Sequence, residues 1–173
     1  MYRQLWIILC LFGFIHTGAN AVNVEQIIKE TLPAATKIEA DKIILTHAQA
    51  QKVMQKAKMK LSSRLYRIFR VDDAQKHLAD GVVITRKVRS KKASVLYLFD
   101  TKGMLLFAEV LAFAEPPEFL PSKVWMKQFR NITSERPLQM GEDIPTISGA
   151  TLSARNVTDG ARLARALIEV VLR

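Results

Sequence analysis

The spacing of apolar residues predicts a sheet in the middle of the chain, with helices before and after it. In the flanking segments apolar side chains recur every three or four residues, the repeat of an amphipathic helix. In the middle they alternate with polar residues or run together, as they do in strands. The predicted helices are Val24–Leu32, His47–Lys60, Pro121–Phe129 and Ser153–Arg173, and the predicted strands are Lys37–Leu45, Arg64–Val71, Val82–Val88, Ala93–Phe99 and Met104–Ala114.

Residues that cap or end helices, form turns or interrupt strands separate these segments. Pro33 ends the first helix, and Thr46 is placed to cap the second. Asp100–Gly103 predicts a hairpin between the last two strands, and the prolines of Glu115–Pro117 end the last one because proline cannot donate to a ladder. The polar stretch Asp72–Asp80 fits either a turn or a short helix. The predicted fold is therefore α+β: a central antiparallel sheet flanked by helices, with a long C-terminal amphipathic helix.

The first 21 residues are typical of a signal peptide. Arg3 precedes an uncharged, mostly apolar run from Leu5 to Ile15, and Ala19-Asn20-Ala21 follows as an A-x-A cleavage pattern. The run is shorter than the roughly 20 residues of a membrane span. We expect cleavage after Ala21 and one mature domain, 22–173, in the periplasm or another extracytoplasmic space; the alternative is an uncleaved anchor.

Charge and cysteine content limit the kinds of partner and of catalytic or metal site that the protein can have. The chain has 26 basic and 16 acidic residues, and removal of Arg3 leaves 25 against 16. In an exported protein this excess indicates attraction to anionic lipid or to an acidic partner rather than to nucleic acid. Cys10, in the leader, is the only cysteine, so the mature domain has no thiol nucleophile and no cysteine-ligated metal. The spacing of His47 and His77 does not predict a metal site or a catalytic triad.

One short motif carries candidate chemistry. In Ser148-Gly149-Ala150-Thr151-Leu152-Ser153 a small, flexible turn leads into the last predicted helix, with Ser153 as a plausible N-cap. A helix start presents free N–H groups and the positive end of the dipole, so a phosphate on Thr151 would sit beside an anion site, with Arg155 as a further cation. By itself, however, such a turn is most often only a cap.

The motif, followed by Asn156-Val157-Thr158, resembles the flavinylation motif of the FMN-binding domain family. This family includes the C subunit of the sodium-pumping NADH:quinone oxidoreductase and the G subunit of the Rnf complex. The segments Tyr97–Val110, Glu115–Leu120 and Trp125–Phe129 also look like its small exported members. The resemblance implies that a separate FAD:protein FMN transferase attaches FMN to Thr151 through a phosphoester. It further implies a cofactor site made by Ser148, Gly149, Ala150, Leu152 and Ser153.

The chain departs from the family at one position. The family often has an acidic residue shortly before the motif, whereas here Pro145 and Thr146 stand between Asp143 and Ser148. The transferase is therefore expected to act less efficiently or to use Asp143 in a shifted register. Trp125 and Phe129 fit either a flavin-packing pair or core packing, and Glu115–Pro117 fits either a wall of the flavin site or a strand end.

These observations predict an exported electron-transfer flavoprotein rather than a self-contained enzyme. Its expected redox partner, by the resemblance, is a membrane protein or a quinone-linked complex. Two alternatives of other classes remain open: a secreted binding module without flavin, and a small flavin reductase that turns over a soluble substrate.

Overall fold

The computed structural model describes residues 23–173; the predicted leader lies outside them. Helices and strands alternate at first and then give way to a meander of strands. The helices are α1 Val24–Thr31, α2 His47–Ala57, α3 Lys123–Met126 and α4 Thr151–Val171; the strands are β1 Lys37–Ile44, β2 Leu65–Asp72, β3 His77–Lys87, β4 Lys92–Asp100 and β5 Leu105–Phe113. Single 3₁₀ turns are formed by Pro117–Phe119 and Lys127–Phe129.

The five strands form one antiparallel sheet in the order β1-β2-β3-β4-β5, so the predicted α+β class is confirmed. Helices pack on both faces of the sheet, although α1 covers only part of its face. Tyr97 and Phe99 point to the side of α2 and α4, whereas the intervening Leu96 and Leu98 point to the side of α1. This alternation explains why β4 reads as an almost continuous apolar run: a strand with helices on both faces has no solvent side.

Several predicted boundaries shift for local reasons. Thr46 caps α2, and Gln49 completes a capping box with it. The helix ends at Ala57, earlier than predicted, because Lys58 takes a left-handed conformation with φ of 52°. Asp73 Oδ1 accepts hydrogen bonds at 2.7 Å from the N–H groups of Gln75 and Lys76. A tight turn therefore replaces the helical alternative for Asp72–Asp80, and β3 starts at His77.

The long helix α4 lies on the sheet at one point of very close approach. Tyr97 Oη donates a hydrogen bond of 2.7 Å to the carbonyl of Val157. A Cβ at Gly160 would lie 2.3 Å from the same hydroxyl oxygen, so only glycine fits there. Burial raises the pKa of Tyr97, and the hydroxyl therefore stays protonated as the donor. This contact sets the height of α4 over β4.

Among residues 23–173, no helix combines the length and the apolar character needed to cross a membrane.

Candidate functional site

The motif forms a turn that runs without a break into α4. Gly149 has a φ of +77°, a conformation that glycine reaches without steric cost. Its turn brings the Ala150 N–H to the carbonyl of Ile147 at 3.1 Å. The helix then starts at once, with Ala150 in the N-cap position and Thr151 as its first residue. The small residues of the motif thus place a hydroxyl at the very start of a helix of 21 residues.

The predicted capping role of Ser153 is wrong. The Ser153 N–H donates to the carbonyl of Ala150 at 3.0 Å, so the helical hydrogen bonds begin two residues earlier than predicted. Ser153 is buried inside the first turn, and the N-cap residue Ala150 has no side chain that could accept a hydrogen bond. Among residues 23–173 no side chain therefore caps α4, which leaves its first N–H groups to another acceptor.

Thr151 is exposed at this helix start. Its Oγ1 donates a hydrogen bond of 3.3 Å to the carbonyl of Ile147. Within residues 23–173, the N–H groups of Thr151 and Leu152 have no backbone acceptor. Two free N–H groups and the positive end of a long helix dipole make an environment that stabilises a negative charge.

A cavity of about 210 Å³ opens beside Thr151. Its polar wall includes Arg89 and Glu115, and its apolar wall includes Phe119 and the half-exposed Leu152. The full lining is Val88, Arg89, Glu115, Phe119, Gly149, Ala150, Thr151, Leu152 and Ser153. Five of the six predicted cofactor-binding residues thus lie around one cavity. The sixth, Ser148, is exposed outside it.

Glu115 holds the opposite wall in place. Its Oε1 accepts the N–H groups of Arg89, Ser90 and Lys91 at 2.9, 2.6 and 2.6 Å, and Ser90 Oγ donates to its Oε2 at 3.2 Å. These bonds, that from the Lys91 N–H above all, lower the pKa of the Glu115 carboxyl to about 2. Glu115 therefore follows the end of β5, as the strand-end interpretation required, and also lines the cavity.

The hydrogen bonds of Glu115 predict that the unfolding free energy of the protein depends on pH. Because the pKa of Glu115 is about 2 in the folded protein against an ordinary 4.5, the unfolded chain takes up its proton first as the pH falls. The stability that Glu115 contributes is complete above about pH 4.5 and is lost towards pH 2. Glu115→Gln should therefore show a smaller loss of unfolding free energy across this window, measured by urea denaturation at each pH. Equal slopes for wild type and variant would contradict the assignment.

Arg89 is a cation of the site that the sequence did not single out. It belongs to the basic run Arg86–Lys92, which by itself reads as a solvated, charged surface. The turn between β3 and β4, bound by Glu115, brings one cation of this run, Arg89, to the cavity. Arg155, the cation expected from the sequence, is exposed near the start of α4 and is absent from the lining.

Further contacts fasten the start of α4 to the end of β3. Asn156 Nδ2 donates to the carbonyl of Lys87 at 2.9 Å, and the Arg86 guanidinium lies 3.5 Å from the carboxylate of Asp159. Asp159 also accepts a hydrogen bond of 2.8 Å from Arg162. Partly buried polar contacts therefore connect the two walls of the cavity.

Asp143 has a structural role within its own loop. Its carboxylate accepts the N–H groups of Leu138 and Gln139 at 3.0 and 2.5 Å, and its carbonyl accepts a bond of 2.6 Å from Arg136. These bonds hold a loop in which Leu138 has a φ of +54°. Both carboxylate oxygens of Asp143 thus accept hydrogen bonds from the backbone of its own loop, and its use by the transferase in a shifted register stays a prediction.

Trp125 and Phe129 pack against each other, with ring centroids 5.3 Å apart. Phe129 is completely buried in the core beside α4, and the lining of the cavity includes neither ring. Trp125 Nε1 donates to the carbonyl of Pro145 at 3.1 Å. The core-packing interpretation is therefore confirmed, and Trp125 additionally tethers the segment that leads to the motif.

Gly149 offers a direct test of the turn. A Cβ at Gly149 would meet no atom within 4 Å, so the cost of Gly149→Ala is backbone strain alone. We expect a loss of about 1 kcal/mol in unfolding free energy, read from thermal or urea denaturation. Gly141, with a φ of +89° and equally open surroundings, is the matched control and should cost about the same on replacement by alanine. An unchanged stability of Gly149→Ala would mean that the turn has another backbone conformation.

Within the described part of the chain, no three or more histidine, cysteine, aspartate or glutamate residues are grouped so that they could hold a metal ion. Comparison with models of known protein families gives no match for this chain, and no curated protein matches its sequence.

Proposed function

We propose that this protein is an exported electron-transfer flavoprotein that carries FMN, joined by a phosphoester to Thr151. One observation carries the proposal: the motif that resembles a flavinylation site places an exposed threonine hydroxyl at an uncapped helix start, on the rim of a cavity. FMN supplies reversible uptake and release of electrons when it is bound, a chemistry that protein side chains do not provide.

The residues around the cavity fit the two chemically different ends of FMN. The free N–H groups of Thr151 and Leu152, the dipole of α4 and the positive charge of Arg89, a residue of the cavity lining, favour the phosphate. Phe119, Val88 and the Leu152 side chain offer apolar contact to the flavin. Glu115 is negative, but three backbone N–H groups already compensate its charge. Its role in this proposal is to position the turn that carries Arg89.

The size of the cavity favours an electron carrier over a protein that encloses its whole ligand. Its volume of about 210 Å³ is below the roughly 300–1,000 Å³ of sites that enclose a whole small ligand. Part of an attached FMN would therefore remain outside the cavity, where a second redox protein can approach it. The partner we propose is a membrane redox protein or a quinone-linked complex.

The attachment requires a separate enzyme, an FAD:protein FMN transferase. The bond that forms joins Thr151 Oγ1 to the FMN phosphorus; the pyrophosphate bond of FAD breaks, AMP leaves and the hydroxyl loses its proton. Thr151 needs only to be accessible and correctly oriented for this step. Its exposed side chain meets the first requirement, and the short turn at Gly149 restricts its orientation.

The mass of the exported protein tests the proposal. The protein is co-expressed with an active FMN transferase, recovered from the exported fraction, denatured in acid and examined by mass spectrometry and by gel fluorescence under ultraviolet light. A mass increase of one FMN less one water, with a fluorescent band, is the expected result. An unmodified mass beside an active transferase would favour a binding module without covalent flavin, whereas steady turnover of a soluble donor and acceptor would favour a reductase.

A further inference from the structure

One end of the α1 side of the sheet is left uncovered. Adjacent strands place their side chains there in register: Ile44 beside Leu65, Lys42 beside Arg67, and Lys87 beside Lys92. Because alternate residues of a strand share a face, all of them point the same way. We call this surface the cationic face; its residues are Lys42, Ile44, Leu65, Arg67, Thr85, Lys87, Lys92 and Ser94.

The cationic face begins where α1 no longer covers the sheet. Phe69 and Leu96 are buried beneath α1, and the Arg67 guanidinium lies 4.8 Å from the centre of the Phe69 ring at the boundary. Beyond it, Ile44 is 71% and Leu65 is 53% exposed, two of the largest apolar exposures among the described residues. Two adjacent aliphatic side chains in water are unfavourable and are typical of a contact surface.

The charges around this apolar pair are all of one sign. A shallow concavity of about 540 Å³ lies along the strand ends. Its lining includes Lys42, Arg67, Lys87 and Lys92, together with Arg86, which is paired with Asp159. Among residues 23–173, no acidic side chain contributes to this lining. The surface therefore combines uncompensated cations with exposed aliphatic groups.

We propose that the cationic face binds the surface of a bilayer that contains anionic phospholipids. Lysine and arginine side chains are attracted to anionic headgroups, and aliphatic side chains between them enter the boundary between headgroups and acyl chains. A bilayer offers both partners side by side over a wide surface: anionic headgroups for the cations, and an apolar layer just below them for Ile44 and Leu65. This chemistry favours lipid as the occupant.

The location of the cationic face connects it with the candidate site. Lys87 and Lys92 flank the turn between β3 and β4, and Val88 and Arg89 of this turn line the motif cavity. Contact of the cationic face with a bilayer therefore places the cavity close to the headgroups. If the proposed redox function holds, this is where a membrane partner can be reached. The lipid contact itself does not depend on the flavin.

Vesicle co-sedimentation of the exported protein tests the proposal. The vesicles consist of phosphatidylcholine alone or of an equal mixture of phosphatidylcholine and phosphatidylglycerol, at about physiological ionic strength. We expect binding to the mixed vesicles only. The double variant Lys42→Glu with Lys92→Glu should weaken it at least tenfold, by roughly the contribution of two lost and two opposing charges. Ile44→Ser with Leu65→Ser should weaken it severalfold without any change in charge.

The matched control is Lys123→Glu with Lys127→Glu, which changes the net charge equally on two exposed lysines of α3 and the turn after it. Its binding should stay within about twofold of wild type. Thermal unfolding of each variant confirms that it is folded, and all variants share the same N-terminus, so any leader contributes equally. Equal losses in both charge variants, or no binding to mixed vesicles, would overturn the proposal. Binding to soluble polyglutamate but not to vesicles would overturn it in favour of an acidic polypeptide.

Discussion

Thr151→Ala should abolish the FMN-sized mass increase and the fluorescent band of the exported protein. The effect is expected to be complete rather than partial, since alanine has no oxygen with which to form the phosphoester. The fold should be nearly unaffected. Thr151 is exposed at the first position of α4, and its hydroxyl makes one hydrogen bond of 3.3 Å to Ile147. A surface change of this kind usually alters unfolding free energy by no more than about 0.5 kcal/mol.

Two variants make this result specific. Thr146→Ala removes another exposed threonine hydroxyl, five residues earlier in the same loop, and should keep the full mass increase. Thr151→Ser restores a hydroxyl at the same position and should restore labelling in part. A Thr151→Ala protein that still gains the mass of FMN would move the attachment point elsewhere. Loss of labelling in Thr146→Ala as well would indicate that the loop, rather than one oxygen, is recognised.

Gly160→Ala should destabilise the protein by about 2 kcal/mol or more, although it improves helix propensity. In an exposed helix this substitution gains about 1 kcal/mol. Here the new Cβ would lie 2.3 Å from Tyr97 Oη and 3.0 Å from Cζ of the same ring. Tyr97 is completely buried, so neither the ring nor α4 moves without disturbing the core. Urea denaturation monitored by circular dichroism measures the difference.

A double-mutant cycle separates this steric contact from the hydrogen bond. Tyr97→Phe alone removes the bond of 2.7 Å to Val157 and should cost about 1 kcal/mol. In the double variant the atom nearest to the new Cβ is absent, so the combined loss should be smaller than the sum of the single losses by at least about 1 kcal/mol. Additive losses would show that Gly160 is required for a reason other than its approach to Tyr97.

The predictions for Thr151→Ala and Gly160→Ala concern the same helix, α4: the first tests FMN attachment and the second tests packing. Tyr97 and Gly160 determine how close α4 lies to β4, and the start of α4 forms one wall of the motif cavity. Gly160 lies in the middle of α4 and Thr151 at its start, so strain at Gly160 should lower stability and leave the proposed attachment point in place. We expect the Gly160→Ala protein to be less stable but labelled normally, and the Thr151→Ala protein to be stable but unlabelled. This pair of results would show that Gly160 acts on stability and Thr151 on labelling.

The strand and helix segments were predictable because their periodicity is local. β4 and β5 and the hairpin between them follow from apolar runs on either side of Asp100–Gly103. The start of α4 was missed by two residues because serine is a common N-cap, and the prediction chose Ser153 on that preference. The actual start follows from the turn at Gly149, where a positive φ and the hydrogen bond from the Ala150 N–H to the Ile147 carbonyl direct the chain into the helix at Thr151.

By itself, the sequence determined the α+β class, the order of the elements and the motif around Thr151, because each depends on residues that are neighbours in the chain. It could not show that Glu115 binds the turn at Arg89, or that this turn faces Thr151, since those residues are tens of positions apart. Only the tertiary structure decided that an ordinary-looking helix start borders a cavity. The tertiary structure also shows that Lys42, Arg67, Lys87 and Lys92 form one surface. These cations are distant in the sequence, and the register of the strands brings them together.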